Sequence, residues 1–207
     1  MLTTLLSGDY PRSRVLAVVL VAILAGLALA PFVFPGTRSL NVAAKVAVFV
    51  LLVASYDLLL GYTGIVSFAH TMFFGIGGYG VGIAMAKLGA GWGSLALGIA
   101  LALVVSAVLA FAIGLLSLRV RAIFFAMITL AVASFFQILA SQLSWLTGGE
   151  DGVTYKLPEL LLPATKLMDT PLLGVEVNGR LVSYYLVYFA ALAFFLVLLR
   201  MVNSPFG

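Results

Sequence analysis

The chain has 207 residues, of which 64% are hydrophobic and only 9% charged, and its mean hydropathy is +1.23. A soluble core of that size has no room for so much apolar surface, so a water-soluble globular domain is excluded and lipid becomes the solvent. The net charge of +4 is scattered in ones and twos and never forms a run that tracks phosphates, which argues against nucleic acid as a partner, and with no cysteine there are no disulfides or thiolates.

Six apolar runs follow in chain order: Val15 to Phe34, Val42 to Leu60, Met72 to Ala86, Ser94 to Leu118, Ile123 to Leu143 and Ser183 to Met201. They predict an all-α, polytopic transmembrane helix bundle with about six crossings. The first run follows Arg12 and Arg14 and contains Ala28-Leu29-Ala30, a pattern shared with cleaved signal peptides. It continues through Pro31-Phe32-Val33-Phe34, however, and at about 30 Å as a helix it reads as a retained first span. The third run is short, about 22 Å, and directly follows a glycine-rich stretch.

Basic residues set the expected orientation. Arg12, Arg14, Arg119, Arg121 and Arg200 fall on one side, which predicts a cytoplasmic N-terminus, with both ends of the chain inside. The segment from 144 to 182, rich in proline, glycine and charge, is expected as an ordered periplasmic loop. Trp92, Trp145, Tyr184 and Tyr185 fall near span ends, where interfacial anchoring is sufficient to account for them. Lys45 lies near the outer end of the second run and is expected to snorkel.

The stretch GYTGIVSFAHTMFFGIGGYG, residues 61 to 80, carries the chain's only histidine. Gly75 to Gly80 matches G-x-G-x-x-G, but a dinucleotide site needs a strand before it, a helix after it and an acid about 20 residues on, and the flanks here are apolar. Close helix packing is the better reading, with Gly75, Gly78 and Gly82 forming a small-residue stripe. That leaves Gly61, Thr63, Gly64, Ser67 and His70, where glycine weakens a helix and hydroxyls can satisfy freed backbone groups. Two readings stay open: a broken helix lining a substrate pathway, or a tight cytoplasmic turn between the second and third spans.

Asp57 is a carboxylate in the second run, where it could reach the interface or support the broken backbone. With His70 it could be imagined as an acid-base pair, yet no H-E-x-x-H, no second histidine and no G-x-S-x-G surrounds them, and a structural role for His70 is the plainer reading. No catalytic or metal-ligating set emerges.

Three separated segments carry a family resemblance. Tyr56 to His70 with Phe73 to Tyr79, Leu118 to Ala131, and Leu146-Thr147-Gly148-Gly149-Glu150-Asp151-Gly152 together resemble LivM-type permease subunits of branched-chain amino acid ATP-binding cassette importers. The resemblance runs from about Val42 to the end, with Asp57 where asparagine is frequent and Gly78 where alanine is usual. It implies uptake of leucine, isoleucine, valine or related molecules across the bacterial inner membrane. It also implies a second homologous permease subunit, two ATPase subunits that bind ATP and magnesium, and a periplasmic substrate-binding protein. The permease itself would perform no covalent chemistry and hold no cofactor. Family members continue past Gly207 into the loop that meets the ATPase, so residues 1 to 207 are expected to be a single permease domain cut short at its C-terminus. On this reading Gly61, Thr63, Gly64, Ser67, Phe68, His70, Phe73 and Phe74 line the substrate pathway, the three phenylalanines forming an apolar wall. Urea or short amides remain as alternative substrates within the class. A secondary transporter or channel is the alternative outside it, and would call for paired membrane-embedded ionisable residues.

Overall fold

The computed structural model describes residues 14–34, 36–117, 120, 122–167 and 177–202. Its long elements are helices α1 (Arg14–Val33), α2 (Thr37–Asp57), α3 (His70–Leu88), α4 (Trp92–Ser117) and α5 (Ala122–Gln142). A short helix α6 (Ser144–Thr147) and the long α7 (Gly179–Val202) follow. Among the described residues, five stretches are long and apolar enough to cross a membrane, and Val18–Val33 within α1 is a shorter apolar helix. The chain is therefore a multi-pass helical membrane protein. Helix is the form that satisfies every backbone group within a single segment in hydrocarbon, which is why runs with apolar residues on all faces fold this way. Much of the apolar surface stays open, including Val104, Val108 and Phe111 on α4, as lipid-facing surface should.

The third span corrects the sequence expectation. α3 covers 19 residues, reaching beyond Met72 to Ala86 at both ends, and is long enough to cross. Thr71 and Lys87 cost it apolarity but not helicity, because composition sets hydropathy whereas backbone hydrogen bonding sets helix length. Gly75 to Gly80 lies wholly inside this helix, so no strand-to-helix turn exists there for a nucleotide.

The residues group into two compact units, one of them holding α1, α2 and α7 and the other spanning Leu59–Glu159.

In the first unit, α1 contains Pro31, which has no N–H to offer and so leaves the carbonyl of Leu27 without its helical donor. The Tyr184 hydroxyl of α7 donates to that carbonyl. Tyr185 and Tyr188 donate to the carbonyls of Ala28 and Leu24 at 3.0 and 3.1 Å. Tyr184 and Tyr185 are thus more than interfacial anchors, since their hydroxyls repair a proline-interrupted helix. Tyr184 and Tyr188 are buried together with Leu40 of α2. At the N-termini of α2 and α7, Arg180 Nη1 donates to Thr37 Oγ1 at 2.6 Å, so these two helices start side by side.

In the second unit, α3 and α4 form a helical hairpin. Gly89 closes α3 with a left-handed φ of 92°, and α4 starts three residues later. The closest approach runs through Gly80 and Ala84 on α3 against Gly98 and Ala102 on α4. A Cβ at Gly98 would lie 2.9 Å from the Gly80 carbonyl oxygen, and one at Gly80 would lie 2.8 Å from the Ala102 Cβ. Each helix therefore presents a small-xxx-small pair at the contact. The stripe expected at Gly75, Gly78 and Gly82 is not the one that carries this approach. A Cβ at Gly75 or Gly78 would meet nothing within 4 Å, and one at Gly82 would touch the Tyr155 ring at 3.4 Å.

After α5, residues 143–159 of this unit form a loop that includes α6. Its Leu146 to Gly152 segment turns tightly around Thr147, whose buried Oγ1 lies 2.5 and 2.8 Å from the carbonyl oxygens of Ala140 and Leu143 and accepts the Gly149 N–H. Gly148 has φ of 77°, and a Cβ there would sit 2.0 Å from the Gly152 carbonyl oxygen, so that position admits only glycine. Lys87 Nζ, at the end of α3, lies 5.0 Å from the centre of the Trp145 ring.

Candidate functional site

The α-helix α2 ends at Asp57, and the chain continues as a π-helical turn, Leu58–Tyr62. Such turns loosen the α-helical ladder by one residue and recur at functional sites. Thr63 Oγ1 donates back to the Leu59 carbonyl, and the Gly64 N–H reaches the Leu60 carbonyl at 3.0 Å. Gly64 then takes φ of 66°, a left-handed conformation that carries the chain off the helical path. Residues 64 to 67 are not helical, Phe68 and Ala69 turn, and α3 begins at His70. The interruption expected from Gly61, Thr63, Gly64 and Ser67 is present in the backbone.

An uninterrupted helix would pair the Phe68 N–H with the Gly64 carbonyl. Here it donates instead to Thr129 Oγ1 of α5 at 3.1 Å, while the Thr129 hydroxyl donates to the Ala126 carbonyl at 2.9 Å. Thr129 has no exposed surface. Around this bond, Ala69 and Met72 pack with Ile113 of α4 and Phe125 of α5 in one buried cluster.

Two measures place the break along the helices of its unit. α3 and α4 are joined through residues 89 to 91 and have 19 and 26 residues, about 28 and 39 Å, so α3 starts about 10 Å short of the far end of α4. Thr129 lies seven residues past Ala122, again about 10 Å along α5 from its start. The non-helical backbone thus runs beside helical turns of α5, not past their ends.

The expected pathway residues divide by environment. Ser67 is buried, while Gly61, Thr63 and Gly64 are exposed and His70 is half-buried. Phe73 packs into the cluster, whereas Phe68 and Phe74 are 49% and 53% exposed, so the three rings do not form one wall. Asp57 is exposed at the end of α2, in the unit that does not contain His70. Thr129 was not singled out as a site residue from sequence. Its signal there was one of three hydroxyls, with Ser134 and Ser141, within the apolar run from Ile123, a position compatible with simple back-bonding along its own helix.

An apolar cavity of about 120 Å³ lies among α1, α2 and α7, lined by residues such as Leu24, Ala47 and Leu192. Tyr188 borders it, but its hydroxyl is spent on the Leu24 carbonyl. Nothing polar is left facing it for the two charged groups of an amino acid.

Comparison with known families places the chain in a transport family. The family model described as the permease component of branched-chain amino acid transport systems covers residues 38–207. No curated protein and no solved structure matches the chain at significant similarity. With most of the chain covered and a multi-pass helical architecture in place, the protein belongs to the family of permease components of branched-chain amino acid transport systems, and its work is transport.

Proposed function

We propose that the chain is an inner-membrane permease subunit of a bacterial ATP-binding cassette importer for branched-chain, hydrophobic amino acids, with the break between Gly61 and His70 and the first turn of α3 lining the substrate pathway. One observation carries the pathway reading: the non-helical backbone at 64 to 67 lies alongside helical turns of α5, about 10 Å in from that helix's start. Irregular backbone at membrane depth is tolerated where protein buries it or where it lines a cavity, and transporters build substrate sites from it. This favours a pathway over an external turn. Backbone groups and hydroxyls at Thr63, Gly64 and Ser67 would meet the ammonium and carboxylate, and the exposed Phe68 and Phe74 rings would meet the branched side chain.

Transport then needs a second homologous permease subunit, two ATPase subunits holding Mg-ATP, and a periplasmic binding protein. ATP binding in the partners would bias a rigid-body switch between inward-open and outward-open states.

The test is uptake of radiolabelled leucine by the assembled importer. Gly64→Leu strains a left-handed position and Ser67→Leu enlarges a buried one, and each is expected to reduce uptake to background with insertion and assembly unchanged. Ala84→Leu, at the α3–α4 contact, should instead lower the amount of assembled protein. Normal uptake by both pathway variants overturns the reading. Uptake that survives an uncoupler and stops on ATP depletion separates the importer from a secondary transporter.

The same proposal puts the N-terminus in the cytoplasm and the loop containing Lys156 in the periplasm. In this cysteine-free chain, Lys156→Cys should react with a membrane-impermeant thiol reagent in intact spheroplasts. Protection until the membrane is opened would reverse the orientation.

A further inference from the structure

We propose that Thr129 is a positioning residue for transport: its hydroxyl fixes the interrupted backbone at Phe68 in the conformation the pathway requires. This rests on the reading of the break as pathway, and adds to it a residue on a different helix.

Counting donors and acceptors gives the argument. Gly64, at φ of 66°, takes its carbonyl away from the position that would accept the Phe68 N–H in a continuous helix. That amide can only donate, and inside a membrane protein it must find an acceptor. Thr129 supplies one at 3.1 Å. The single hydroxyl proton of Thr129 goes to the Ala126 carbonyl at 2.9 Å, which leaves the oxygen's lone pairs facing the break. A β-branched side chain on a helix has few rotamers, and this back-bond selects one, so the acceptor is held in place before the break packs against it. Thr129 is fully buried, so water is not available to replace its oxygen. Ala69, the next residue along, has no exposed surface and sits in the cluster with Ile113 and Phe125, so the polar anchor and the apolar packing meet at one point. The break is then held at its α3 end and open at Thr63 and Gly64, an arrangement that fixes the direction of the freed groups without covering them.

Valine has the shape of threonine without the acceptor, and serine has the acceptor without the methyl group. In lipid nanodiscs, hydrogen exchange of the peptide containing Phe68 should speed up at least about tenfold at that amide in Thr129→Val and stay near wild type in Thr129→Ser. Leucine uptake by the assembled importer should fall by about tenfold or more in Thr129→Val and be retained in Thr129→Ser. Unchanged exchange at Phe68 in Thr129→Val overturns the proposal whatever uptake does. Faster exchange with normal uptake also overturns it, and if Gly64→Leu still abolishes uptake in that background, the pathway reading survives this failure. Should Thr129→Val not accumulate in the membrane, Thr129→Ala measured against Thr129→Ser applies the same two criteria.

Discussion

α1 and the stretch from Leu58 to Ala69 both lose helical hydrogen bonds, and the chain handles the two losses differently. In α1 the fault is a missing donor: Pro31 leaves the Leu27 carbonyl unpaired, and the helix nevertheless continues to Val33. Three tyrosine hydroxyls from α7 cover that carbonyl and its neighbours, and the proline itself is fully buried. In the second stretch the backbone leaves the helix altogether, one amide is caught by Thr129, and Thr63 and Gly64 stay exposed. The first region is repaired and closed, whereas the second is anchored and left open. A membrane protein tolerates broken backbone in either way, and only the second leaves the interrupted backbone exposed, which is what the proposed pathway needs.

The packing differs in the same sense. α7 meets α1 through large aromatic side chains whose polar tips reach backbone, while α3 meets α4 through glycine and alanine at backbone contact distance. The largest expected effect on stability therefore lies in the hairpin. At Gly98 an added Cβ would meet the Gly80 carbonyl oxygen and the Val81 Cα at 2.9 Å, both backbone atoms that cannot swing aside. Gly98→Ala should cost about 2–3 kcal/mol in unfolding measured in lipid nanodiscs, whereas Gly75→Ala and Gly78→Ala should stay within about 0.5 kcal/mol. Equal costs at all three positions would show that the hairpin contact lies elsewhere.

A smaller effect, about 1–2 kcal/mol, is expected for Tyr184→Phe, because it leaves the Leu27 carbonyl with no donor at all. Pro31→Ala restores an N–H four residues on, so in that background the same substitution should cost about 0.5 kcal/mol or less. Tyr188→Phe should be smallest, at about 0.5 kcal/mol, since its acceptor, the Leu24 carbonyl, faces a helical N–H at Ala28 in any case. None of the tyrosine variants should reduce leucine uptake as Gly64→Leu does. If they do, the distinction between a repaired and an open region fails.

Much of this was legible in the chain read alone. Hydropathy located the long helices to within a few residues, and Gly61, Thr63 and Gly64 marked the interruption because both the permissive residue and the hydroxyl that compensates it are local. Hydropathy bounds the third span at Met72 and Ala86, short of the helix at both ends, because Thr71 and Lys87 lower hydropathy without ending a helix. The three phenylalanines were expected together because they are close in sequence, yet Phe73 points into the packed cluster while Phe68 and Phe74 do not.

Composition, the existence of the spans, family membership and the position of the break are thus properties that period, run length and motif suffice to read from the chain. Helix register and hydrogen-bond partnership were settled in three dimensions. Helices that are apolar all round carry no amphipathic stripe to say which face turns inward, so nothing local distinguishes Gly80 and Gly98 from Gly75 and Gly78. The acceptor for Phe68 lies 61 residues away, and the donor for Leu27 lies 157 residues away. Nothing near either hydroxyl in the sequence names its partner, and only the packing of helices in space decides which orphaned backbone group each one meets.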